Sequence, residues 1–109
     1  DRRSKNPMVG KTLPLSHELF DFAETIFDVL ESRQVTLSKK GEDKGVRLSF
    51  EGFPYLIVWS KPEGDFVAVE PWGGLSTCSD EDDVLEHKRG CLVAKPKETV
   101  VRSFTIEIL

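Results

Sequence analysis

The chain has 109 residues, 39% of them hydrophobic and 31% charged, with a formal net charge of −4. That length supports one domain with a modest core, and the acidic balance argues against a phosphate-neutralising nucleic-acid surface. No apolar run approaches membrane-spanning length, no signal-peptide pattern opens the chain, and two cysteines, Cys78 and Cys91, are too few for a secreted disulfide scaffold.

Reduced thiols in a cytoplasmic protein are the expectation. The chain opens at Asp1 rather than Met, with a basic Arg2-Arg3 pair, and its first dozen residues are polar with little pattern. We therefore expect a part of a longer polypeptide. Residues 1–16 read as an extended lead-in, because Pro7 and Pro14 discourage helix. From Ser16 to Leu30, the residues Leu19, Phe20, Ala23, Ile26, Phe27 and Leu30 fall at helical spacing, and Ser16 is placed to cap the start. One or two turns are expected rather than a long helix, since Phe27-Asp28-Val29 also suits extended chain.

Beyond Leu30 the period changes to two. Gln34 to Ser38 and Val46 to Phe50 read as strands around the polar loop Lys39 to Gly45. Tyr55 to Ser60 and Asp65 to Glu70 read as the next pair, joined by Lys61-Pro62-Glu63-Gly64, which has proline and glycine where a type I turn wants them. Ser76 to Arg89 is an acidic loop with room for a short helical turn. Cys91 to Ala94 and Val100 to Ile108 read as the last strands, across the turn Lys95-Pro96-Lys97-Glu98. In the final strand Phe104, Ile106 and Ile108 alternate with Ser103, Thr105 and Glu107, which predicts one solvated face. The fold class is all-β and mainly antiparallel, one layer and part of another of a β-sandwich, with one short helical segment.

The segment Phe66-Val67-Ala68-Val69-Glu70-Pro71-Trp72-Gly73-Gly74 holds the chemistry. It sets one carboxylate at the end of an apolar strand, where a charge is costly unless satisfied or used. A four-residue loop would place Ser60 opposite Asp65, Trp59 opposite Phe66, Ile57 opposite Ala68 and Tyr55 opposite Glu70. Leu56, Val58, Val67 and Val69 would share the other face, so both faces are apolar and the strands are expected to be central and covered on both sides. Glu70 would then sit beside Tyr55 with Trp72 just beyond. That arrangement suits a general base acting on a small polar ligand. The plainer alternative makes the aromatics core and Glu70 a strand-end acid paired to an arginine.

Phe53-Pro54-Tyr55-Leu56-Ile57-Val58-Trp59-Ser60 followed by Phe66-Val67-Ala68-Val69-Glu70-Pro71-Trp72-Gly73 resembles the C-terminal part of the aldose 1-epimerase (galactose mutarotase) family. His17 to Asp21 and Leu92 to Glu98 resemble neighbouring segments, so most of the chain is covered. The resemblance implies that residues 1–109 are the C-terminal portion of a single β-supersandwich domain. It implies interconversion of the α- and β-anomers of an aldose without cofactor or metal, a glutamate taking the C1 hydroxyl proton while a histidine protonates the ring oxygen. Glu70 matches the glutamate. The remaining N-terminal part of the same fold would supply the acid and the substrate-gripping residues. Trp72, Tyr55 and Phe53 are the candidate sugar-facing aromatics, which would stack on a pyranose. Asp21 is the candidate acidic residue lining the site, with Ala23 at the neighbouring position.

No segment here resembles the family's histidine acid. His17 belongs to the helical turn and His87 to the acidic loop. Ser79-Asp80-Glu81-Asp82-Asp83 lacks the alternating ligands and central glycine of an EF-hand and reads as a solvated loop. Cys78 and Cys91 lack a histidine–acid arrangement, and Gly41 and Gly45 bracket a loop without forming a phosphate cradle. Two other classes stand beside the epimerase: a non-catalytic carbohydrate-binding β-sandwich module using the same aromatics, and a purely structural β-domain. The expected partners are a small aldose and the rest of the fold, with no nucleic acid and no membrane.

Overall fold

In the computed structural model, residues 6–21 and 23–109 are described. The Arg2-Arg3 pair and the first five residues of the lead-in lie outside them. Among the described residues six strands form two three-stranded antiparallel sheets: β1 (Thr25–Phe27), β2 (Gln34–Ser38), β3 (Gly45–Ser49), β4 (Tyr55–Trp59), β5 (Ala68–Trp72) and β6 (Thr105–Ile108). One sheet has the order β1-β4-β5 and the other β2-β3-β6. The only regular helical pieces among the described residues are two 3₁₀ turns, His17–Phe20 and Leu85–His87. The chain is all-β.

The helical interlude shrinks to the first of these turns. Ser16 caps it as its spacing predicts, its hydroxyl accepting from the Leu19 amide (3.3 Å). Thr25, Ile26 and Phe27, read at helical spacing in part, instead pair with Val58, Ile57 and Leu56. A β-branched pair followed by an aromatic fits the edge of a pleated surface better than a helix, and pairing with a buried strand decides the outcome.

The core lies between the sheets. Leu48, Phe50 and Leu56 are buried together, and Phe27, Leu30, Val35, Phe53 and Val69 pack on them. Leu56 and Val58 of β4 point inward with Phe27 and Val69, while Tyr55, Ile57 and Trp59 point to the other face with Ala68, Glu70 and Trp72. All of Tyr55 to Val58 is buried, so β4 is central and covered on both faces, as its unbroken apolar run predicts.

Three strand assignments need correction. The β4–β5 ladder is shifted by two residues: Tyr55 pairs with Trp72, Ile57 with Glu70 and Trp59 with Ala68. The Lys61–Gly64 turn does form, with the Gly64 amide donating to the Lys61 carbonyl (2.9 Å). However, Asp65, Phe66 and Val67 do not resume the ladder. Phe66 instead turns its ring edge-to-face onto Trp59, with centroids 5.7 Å apart. A shift of two preserves the faces, so Glu70 stays on the aromatic side. The predicted strand Cys91 to Ala94 is not a strand; it is exposed and finds no ladder. The last strand is confined to Thr105–Ile108, and both of its faces are exposed. The turn between those segments is present, closed by Glu98 N–H to the Lys95 carbonyl (2.9 Å) with Lys97 at φ 66°.

Candidate functional site

Glu70 lies on the edge strand β5, directly opposite Ile57, which is 1% exposed. Being at the sheet edge is what allows Pro71 to follow it, because a proline donates nothing to a ladder. Tyr55 and Trp72 face each other one pair further on, so Tyr55 is Glu70's diagonal neighbour rather than its direct partner. Glu70 and Trp72 are both half-buried. Among the described residues the Glu70 carboxylate takes no hydrogen bond and no ion pair. The arginine partner that a purely structural acid would need is therefore not found there.

The same face is partly roofed by the acidic loop. Gly90, at φ +70°, rests on the Tyr55 ring: a Cβ there would lie 2.6 Å from Cε2 and 3.1 Å from the phenol oxygen. Gly74 lies close to the backbone carbonyl of Arg89, 3.7 Å from where its Cβ would be. Tyr55 is consequently only 9% exposed. Phe53 occupies a different setting. It packs on the inter-sheet core, meets Phe104 edge-on at 6.5 Å, and carries the Arg102 guanidinium 5.8 Å above its ring. Asp21 is exposed at the end of the first 3₁₀ turn, where its amide donates to the Glu18 carbonyl (3.2 Å). Neither an ion pair nor a hydrogen bond joins it to Glu70 among the described residues. Glu70, Tyr55 and Trp72 are thus brought together on one face, while Phe53 packs on the inter-sheet core.

The histidines are both engaged elsewhere. His17 donates from Nε2 to the Gly64 carbonyl (2.9 Å), tying the first 3₁₀ turn to the β4–β5 loop. His87 donates from Nδ1 to Asp82 Oδ2 (2.7 Å). That bond, helped by the Val84 amide, holds the Asp82 carboxyl below the usual aspartate range.

Two arginines near the hairpin escaped the sequence reading. Arg89 sits beside the acidic loop, donating to the Cys78 sulfur and lying 3.9 Å from Glu81 Oε1. With Asp80, Glu81, Asp82 and His87 it lines a shallow, open depression. Among the described residues no group of three or more His, Cys, Asp or Glu side chains is placed to hold a metal ion. Arg102 is the second. It carried a legible signal: it is the one charge in the apolar phase Val100, Phe104, Ile106, Ile108.

No family model matches the chain, and no solved structure matches it. The chain is similar to Protein LacX of Lactococcus lactis subsp. lactis. Both the plasmid and the chromosomal forms are 41% identical to it over 112 residues, covering 100% of this chain. The chain spans 38% of the length of these curated relatives. Among its described residues, no helix is long and apolar enough to cross a membrane.

Proposed function

We propose that this chain is the base-bearing part of an aldose 1-epimerase-like isomerase, with Glu70 taking the proton from the anomeric hydroxyl. The observation that carries the reading is the state of Glu70: a half-buried carboxylate on an aromatic face, with no internal hydrogen-bond or ionic partner among the described residues. A carboxylate left without a partner keeps its acceptor capacity for a ligand hydroxyl, and Trp72 beside it offers an apolar surface to a pyranose ring. The resemblance of the Glu-Pro-Trp strand to the mutarotase family supports the same assignment.

In this reading deprotonation at C1 and protonation of the ring oxygen open the ring, rotation about C1–C2 follows, and reclosure gives the other anomer. Glu70 supplies the first of these proton transfers. With His17 bound to Gly64 and His87 bound to Asp82, the acid comes from outside this chain. Anomer exchange of a ¹³C-labelled aldose, followed by magnetisation transfer, separates catalysis from binding. Faster exchange supports the isomerase. Saturable sugar binding without faster exchange would leave the carbohydrate-binding module in its place.

A further inference from the structure

Among the described residues the two sheets have four edge strands, β1, β5, β2 and β6. Three of them carry a feature that discourages further pairing. β1 is only three residues long. β5 holds Pro71, which has no amide to donate. β2 runs straight into Lys39-Lys40, and its apolar side chains Val35 and Leu37 are half-buried. β6 has none of these: Thr105-Ile106-Glu107-Ile108 holds no proline and no lysine, and all four residues are exposed. The backbone shows which of its groups are open. The Leu109 amide donates to the Gly45 carbonyl (2.9 Å). Residues facing the partner alternate along an antiparallel ladder, so Thr105 and Glu107 face β3 as Leu109 does. The N–H and C=O groups of Ile106 and Ile108 therefore point away from β3, along the open edge. The apolar side of the same strand is uncovered. Exposure rises from 8% at Leu48 to 57% at Ile106 opposite it, and from 37% at Val46 to 79% at Ile108. An apolar stripe thus starts in the core and runs out to an edge with open hydrogen-bonding groups.

We propose that β6 is a docking edge, and that its occupant is a β-strand from the part of the polypeptide outside these 109 residues. The relatives argue for that occupant. Their match covers 100% of this chain but 38% of their own length, so most of their length lies outside the matched region. A segment tethered on the same polypeptide meets the edge at high effective concentration, which gives it precedence over a second copy. The added strand takes up the open amide and carbonyl groups of Ile106 and Ile108 and extends the β2-β3-β6 sheet. It carries apolar residues at alternate positions, which continue the stripe of Val46, Ile106 and Ile108. Its other positions are polar, because they lie on the side of Arg47 and Glu107, which are paired at 2.9 Å. The proposal is independent of the chemistry assigned to Glu70, which lies in the other sheet.

The test is amide hydrogen exchange in a protein that carries this chain together with the remainder of the relatives' length, with sedimentation of the same samples. Glu107, whose amide faces β3, is the internal reference. The expected result is exchange at Ile106 and Ile108 within about tenfold of that at Glu107, unchanged when the sample is diluted. Exchange at Ile106 and Ile108 more than about tenfold faster than at Glu107 shows an open edge and overturns the proposal. Protection that is lost as a dimer dissociates on dilution also overturns it, because the edge then belongs to a second copy. Neither outcome needs a variant to fold. Ile108→Lys sharpens the result by placing a charge on the stripe. It is expected to speed exchange at Ile106 at least about tenfold while Glu107 stays within about twofold. No acceleration at Ile106 in a folded Ile108→Lys protein would mean that nothing packs on the stripe, and would contradict the proposed strand.

Discussion

The two sheets use the same strand chemistry to opposite ends. In β1-β4-β5 the central strand is buried from Tyr55 to Val58, and its two faces do different jobs: one builds the core with Leu56 and Val58, the other presents Tyr55 and Ile57 beneath Glu70 and Trp72. In β2-β3-β6 the faces are segregated by polarity. Val35, Leu37, Val46, Leu48, Ile106 and Ile108 share one side, while Gln34, Thr36, Arg47, Ser49, Thr105 and Glu107 share the other. Only the part of that apolar side near Leu48 enters the core; Ile106 and Ile108 are 57% and 79% exposed. Alternation alone therefore does not say whether an apolar face is covered. Position relative to the second sheet does.

The sharpest way to test this contrast is to truncate matching residues. Phe50→Ala, at 0% exposure between the sheets, is expected to cost about 3–5 kcal/mol, and Ile57→Ala about 2–5 kcal/mol. Ile108→Ala, in contrast, is expected to stay within about 0.5 kcal/mol. Urea denaturation of the three variants checks the order. Equal losses at Ile57 and Ile108 would erase the distinction between the sheets.

A smaller effect is expected at the roof over Tyr55. Gly90→Ala combines a left-handed backbone with a collision against the phenol ring, and strain of about 1–3 kcal/mol follows. Its loop would lift, and Tyr55 fluorescence and solvent quenching would report the uncovering. Weaker still is the polar face of the second sheet. The Arg47–Glu107 pair, at 2.9 Å, joins side chains 39% and 56% exposed, so Arg47→Ala is expected to cost less than about 1 kcal/mol, and less again in high salt.

The acidic loop gives a pH-dependent prediction of direction only. The Asp82 carboxyl ionises below its usual range because His87 and the Val84 amide hydrogen-bond to it. Its contribution is therefore present above the ordinary aspartate value and is lost as pH falls through the lowered one. In His87→Ala the Asp82 titration, read by carboxyl ¹³C shifts, is expected to move back up toward that ordinary value. No movement would mean that the 2.7 Å contact does not govern the group.

The sequence made the hairpin faces legible because parity survives an error in loop length. The expected pairing of Tyr55 with Glu70 is off by two, yet Glu70 remains on the Tyr55 and Trp72 side. What set the extra loop residues was the Phe66 ring finding Trp59, a contact between side chains that turn rules do not encode. Cys91 to Ala94 had strand-like residues but no partner strand, and propensity without a ladder does not make a strand. Phe53 had the right type and the right parity for the aromatic row. It was drawn instead into packing with Phe104 and Arg102, two residues some fifty positions away. The capping of the first turn by Ser16 was readable because capping is local.

The central claim is that Glu70 acts as the base. The most direct test compares wild type with Glu70→Gln in a protein that carries this chain together with the remainder of the relatives' length. Anomer exchange of the aldose and a urea melt are measured on the same samples. The account predicts that exchange falls at least about 10²-fold, the scale of a lost general base, while the melt is unchanged. Exchange at the wild-type rate in folded Glu70→Gln would contradict it.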